Sequence, residues 1–177
     1  MLLLKSGKMI ENRDWQNALK RGYKLLKPYL HLEGQIAQDH DTPSFKDGIE
    51  LIESVATQQV WEANWLLGKA YEANGEFKKS ALQFAIAFES SSNNREVVHE
   101  YILSLLRIGE SDYAEQVLKT AGQKNDPLIR FDCCLVKFAQ QQYESAAQCL
   151  GAYDWPQHYV DRVKELSKRI ELVLCDS

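Results

Sequence analysis

Glycine and proline are scarce in this 177-residue chain, at nine and four residues, roughly 7% together against an average usage near 12%. So few chain breakers disfavour turn-rich β architectures and lean toward helices. Long apolar runs are missing as well. Met1-Leu2-Leu3-Leu4 gives way at once to Lys5-Ser6-Gly7-Lys8, short of the roughly 7–15 apolar residues at the centre of a signal peptide. No stretch approaches the roughly 20 that span a bilayer, so a cytoplasmic place without membrane insertion is expected. Only four cysteines occur, and Cys133-Cys134, Cys149 and Cys175 form no C-x-x-C pair. A disulfide framework and a cysteine zinc site are thereby disfavoured, and Cys133, Cys134 and Cys149 read as free thiols packed as small hydrophobes. Nor is there an excess of positive charge. Twenty-one Lys and Arg against 25 Asp and Glu leave a net charge of -4, which argues against a phosphate backbone as partner. What remains is a chain 45% hydrophobic and 26% charged, enough for one core of ordinary size, and residues 1–177 are expected to form one domain.

The sequence repeats itself. Five segments align on Trp15, Phe45, Phe77, Ser111 and Tyr143, at intervals of 30, 32, 34 and 32 residues. Three residues on, each carries a small side chain: Ala18, Gly48, Ser80, Ala114 and Ala146. Seven on stand Gly22, Ile52, Phe84, Leu118 and Leu150, and ten on Leu25, Val55, Ala87, Ala121 and Tyr153. Offsets of 3, 7 and 10 follow one face of an α-helix. A second amphipathic stretch is expected before each of these helices, clearest over 61–77, where Asn74-Gly75 marks a helix end and tight turn. Ile108-Gly109-Glu110 repeats that punctuation. Polar breaks at Ser90-Ser91-Ser92-Asn93-Asn94 and Gln123-Lys124-Asn125-Asp126-Pro127 supply Asn or Asp N-caps and a proline in a first turn. Each repeat is then a helix hairpin, with boundaries at 1–28, 29–58, 59–94, 95–126 and 127–155. Beyond them, Tyr159, Val163, Leu166, Ile170 and Val173 form one stripe of an amphipathic helix over 157–175. With Asp161, Lys164, Glu165, Lys168 and Arg169 on its outer side, it suits a C-terminal cap.

Leu67-Gly68, Tyr71, Gly75, Phe77, Phe84 and Ala87 resemble the tetratricopeptide repeat, whose pattern runs W-x2-L-G-x2-Y and then A-x3-F with a period near 34. Asn64 stands at the position of the early Trp, between Trp61 and Trp65, and Ser80 replaces the usual Ala. The fourth repeat keeps Gly109, Ala114, Ala121 and Pro127, with Ile102 for the Gly and Leu105 for the Tyr. The fifth has Cys133-Cys134 for Leu-Gly and Lys137 for the Tyr, and the first two are weaker copies. The resemblance implies an all-α fold, a right-handed α-α superhelix of about five such hairpins plus the capping helix. Its motifs specify a fold and leave activity open.

Chemistry-bearing constellations are not evident. His31, His40, His99 and His158 have no metal-ligand spacing among themselves or with the cysteines. Asp39-His40-Asp41 reads as a solvated loop, Cys133 as core rather than nucleophile, and no phosphate-binding Gly-rich loop or nucleophile elbow occurs. Neither enzyme activity nor a metal or cofactor is expected. The resemblance places the first helices on an inner groove. Its expected lining is Trp65 and Lys69 in the third repeat, His99, Leu103, Leu106 and Arg107 in the fourth, and Phe131 and Leu135 in the fifth. An apolar floor with a charged rim of Glu62, Glu72 and Glu96 fits a partner's peptide or helix. The C-terminal helix or a dimer mate is an alternative cover for that floor, so a homo-oligomer stays open. Glu100 and Asp132 occupy positions where chaperone-tail binders of the family carry basic or amide residues, and they would repel an acidic tail. The expected function is a non-enzymatic interaction module, as adaptor, assembly factor or chaperone-like holder. The alternative is a regulator that senses a small molecule or signal peptide in a closed pocket.

Overall fold

A computed structural model of the chain describes residues 2–3, 9–10, 14–30, 42–56, 60–122 and 125–175. They are helical throughout, apart from their connections and a two-residue antiparallel pairing of β1 (Leu2–Leu3) with β2 (Met9–Ile10). Among the described residues there are nine α-helices, and none is long and apolar enough to cross a membrane. The chain divides into two compact units, residues 1–92 and 93–177.

The first unit holds α1 (Asp14–Leu30), α2 (Pro43–Ala56), α3 (Trp61–Ala73) and α4 (Phe77–Ser90). Its helices pack as the pairs α1·α2 and α3·α4, with α2 also against α3. In the first two repeats the observed helix pairing differs from the expected one. The residues described before α1, 2–3 and 9–10, pair as strands rather than extending a helix. Instead α1 and α2, both expected as second helices, pack on each other through their small residues: a Cβ on Gly22 would collide with Ile52, and one on Gly48 would lie 2.9 Å from Leu26. Two helices with the same small-residue spacing can serve as each other's partner. The first helix expected in the 29–58 repeat overlaps the end of α1, which runs on to Leu30. Its remainder, and Asp39-His40-Asp41, lie outside the described residues.

Helices α3 and α4 form a close-packed hairpin. Gly68 is buried where the Phe84 ring crosses, and an added Cβ would stand 2.6 Å from that ring. Phe84 is fully buried, a burial worth about 2–3 kcal/mol. Asn64, at the position of the missing Trp, is 2% exposed and donates through Nδ2 to the Val60 and Ala56 carbonyls at 3.2 and 3.4 Å. A hydrogen-bonded amide thus takes the indole's place at the junction with α2. The Tyr71 hydroxyl donates to Glu53 Oε1 at 2.7 Å, tying α3 to α2.

The second unit contains α5 (Arg95–Arg107), α6 (Ser111–Ala121), α7 (Pro127–Ala139), α8 (Tyr143–Gly151), one 3-10 turn (Gln157–Tyr159) and α9 (Val160–Cys175). Helices α5·α6 and α7·α8 are hairpins, and α5 packs beside α7. The expected caps are present. Asn94 accepts from the backbone N–H of Glu96 and Val97, and Asp126 from that of Leu128. Tyr159 of the 3-10 turn and Leu166 and Ile170 of α9, all in the expected stripe, are buried, with their outer neighbours exposed. That helix closes the unit's core against α8 and α7.

The same turn ends α3, α5 and α7. Glu76, Glu110 and Gln142 donate their N–H groups five residues back, to Tyr71, Leu105 and Lys137, at 2.8, 2.9 and 2.9 Å. The residues before them donate three back, to Glu72, Leu106 and Phe138. These are the paired bonds of a Schellman cap, which needs a left-handed residue between them. Gly75, Gly109 and Gln141 fill that place with φ of 75°, 83° and 62°. The period read from side chains therefore returns in the backbone.

Candidate functional site

The expected groove residues fall in both units. On α3, Trp65 is half-buried against the core of the first unit, its indole Nε1 buried without a hydrogen-bond partner among the described residues. Lys69 Nζ lies 3.6 Å from Glu72 one turn on. The other candidates lie in the second unit, on α5 and α7. Helix α5 buries Val98, Tyr101, Ile102 and Leu105. The residues between them, His99, Leu103 and Leu106, are left half-buried and Arg107 exposed. On α7, Leu135 is half-buried.

Phe131 departs from the expectation of an open floor. It is 6% exposed and packs against Trp155 at 5.9 Å and Tyr159 at 6.1 Å between ring centroids. The segment leading into α9 brings those two rings over it, and Trp155 is fixed by donating Nε1–H to the Leu150 carbonyl at 2.8 Å. The Arg169 guanidinium of α9 likewise stands 4.8 Å above the Phe138 ring. The segment before α9, with Leu166 and Ile170 of the helix in the same core cluster, covers Phe131.

Asp132 also departs from expectation. It is fully buried rather than facing a partner's tail, and its Oδ1 lies 2.7 Å from His99 Nδ1. The two residues are 33 positions apart, one more than the 32-residue offset between the starts of α5 and α7, so Asp132 is the repeat equivalent of Glu100 and stands one place beyond that of His99. Burial alone pulls the imidazole down, but the hydrogen bond and charge of Asp132, with the charge of Glu100, outweigh it and hold His99 above its ordinary 6.5. Burial in turn raises the Asp132 carboxyl, against the opposing pull of His99, and its second oxygen has no partner among the described residues. With Nδ1 engaged, Nε2 is the ring nitrogen left to meet a partner, on a side chain 17% exposed.

A second bridge spans the starts of the same two helices. Arg95 donates from Nη1 to Asp126 Oδ2 at 3.2 Å and from Nε to Glu96 at 3.0 Å. The face shared by α5 and α7 thus presents Leu103 and Leu106 beside a pinned histidine, with charges of both signs at its margin. Among the described residues no cluster of His, Cys, Asp or Glu is grouped to hold a metal ion. No protein-family model, curated protein or solved structure matches this chain.

Proposed function

We propose that this chain is a non-enzymatic protein-interaction module, a tetratricopeptide-like helical array wound as a right-handed superhelix whose first helices hold a segment of a partner protein. It would serve as an adaptor, assembly factor or chaperone-like holder in the cytoplasm. The observation that carries the reading is the α5–α7 face, where half-buried Leu103 and Leu106 flank a histidine locked by Asp132. Half-buried leucines held on one helix, α5, offer anchor sites whose ordering cost is already met in the free protein. His99 adds a donor for a backbone carbonyl or an acidic side chain. The repeated Schellman turns and the Gly68–Phe84 approach support the repeat reading on independent grounds.

Selection of a randomised displayed-peptide library on the folded protein tests this reading. Peptides with apolar anchors at helical or extended spacing are expected. Leu103→Ala and Leu106→Ala should each weaken the selected peptides about tenfold, the effect of losing one anchoring contact of about 1.4 kcal/mol, with helical circular dichroism unchanged. Affinity unchanged from the unmodified protein in both variants contradicts it.

A further inference from the structure

On the side of α7 turned away from His99, by helical spacing, lies a cavity of about 310 Å³ between α6, α7 and α8, the volume of about ten waters. Leu118, Ile129 and Val136 give it apolar walls, and Arg130 and Lys137 line it as well. Neither cation is ion-paired with a carboxylate among the described residues. Arg130 Nε is buried with no hydrogen-bond partner there, while its guanidinium rests 4.6 Å over the Tyr153 ring. The one acid in the wall, Glu115, is already answered: Lys119 Nζ lies 2.7 Å from Oε1, and Gln140 donates to Oε2 at 3.2 Å. Cys133 and Cys149 complete the lining. The contact between the two thiols pulls Cys149 down, but its contact with Cys134 and burial outweigh that and push it up to about 11. Cys133 is raised too, by its contact with Cys149 and by burial. Both thiols stay neutral and add no competing anion.

We infer that this cavity binds a small monocarboxylate with an apolar tail, on the order of ten non-hydrogen atoms. The carboxylate meets Arg130 and Lys137, and the tail lies against Leu118, Ile129 and Val136. An unpaired, partly desolvated guanidinium favours a planar anion that takes two parallel N–H donors, and sites between helices of this size are of the ordinary ligand-binding kind. The proposal is independent of the α5–α7 face.

Octanoate serves as the probe, with 1-octanol and inorganic phosphate as controls, in titration calorimetry on the full chain. Octanoate is expected to bind saturably with one site, and each control at least tenfold more weakly. Lys137→Gln should weaken octanoate about tenfold, as for loss of a charge-assisted contact, and leave octanol unchanged. A second measurement needs no variant. Bound octanoate should slow alkylation of Cys133 and Cys149, followed by mass spectrometry, while exposed Cys175 labels at its free rate. The proposal is overturned by absence of saturable octanoate binding, by equal affinity for octanol, by phosphate binding in octanoate's place, or by binding that protects neither thiol.

Discussion

His99 Nδ1 and Asp132 Oδ1 stand 2.7 Å apart on neighbouring first helices, with the carboxylate fully buried. A histidine whose folded pKa is raised contributes stability that is complete below its unfolded pKa, near 6.5, and is lost as pH rises through the folded value. The imidazole resonances of His99 in a two-dimensional NMR titration should therefore move with a midpoint above 6.5, and Asp132→Asn should bring that midpoint down. A midpoint at or below 6.5 in the unmodified protein contradicts the pairing. Removing the ring altogether, in His99→Ala, strands a buried carboxylate and should cost about 3 kcal/mol by denaturant unfolding at pH 6.

Gly68 and Phe84 define the tightest approach in the α3–α4 hairpin. A methyl group at position 68 would stand 2.6 Å from a ring that is fully buried. Gly68→Ala should destabilise by about 2 kcal/mol through overpacking. Adding Phe84→Leu should return part of that loss, and a double-mutant cycle should show coupling of about 1 kcal/mol. Strict additivity contradicts the contact.

The three Schellman turns make opposite predictions at equivalent places. Gly109 has φ of 83° with nothing within 4 Å of an added Cβ, so Gly109→Ala tests conformation alone and should cost about 1 kcal/mol. Gln141 occupies the same left-handed place with φ of 62°. Gln141→Gly relieves that penalty at some entropic cost and should raise stability by about 0.5 kcal/mol. Thermal unfolding of both variants checks the pair, and a destabilised Gln141→Gly is the contrary result.

Thiol reactivity gives a fourth prediction. With Cys149 pushed up to about 11, only about one molecule in a thousand carries that thiolate at pH 8. Exposed Cys175 should alkylate first, then half-buried Cys149 and Cys133, with buried Cys134 last. Early labelling of Cys149 in the folded protein contradicts this order.

The sequence made the second helices legible because burial of one face imposes a strict spacing. Helices α4, α6 and α8 start at Phe77, Ser111 and Tyr143, the residues on which the repeats align, and Gly48, Ser80, Ala114 and Ala146 are all buried. The same spacing hid the relation between α1 and α2, because a small-residue face tells where a helix packs closely but not which helix comes to it. Asp132 was legible as a position and not as a role. A carboxylate at a groove register reads as a charge offered to a partner, unless the histidine on the preceding first helix is seen as its counterpart. Phe131 was misplaced for a related reason: the rings that cover it arrive from Trp155 and Tyr159, outside the repeat pattern that defined the floor.

The most direct measurement for the α5–α7 face is an amide chemical-shift map of the labelled protein titrated with a selected peptide. The account predicts the largest shifts at His99, Leu103 and Leu106 on α5 and at Leu135 on α7, with α6 and α8 quiet. Shifts centred on α6 and α8, or a library that yields no binding peptide, would contradict it.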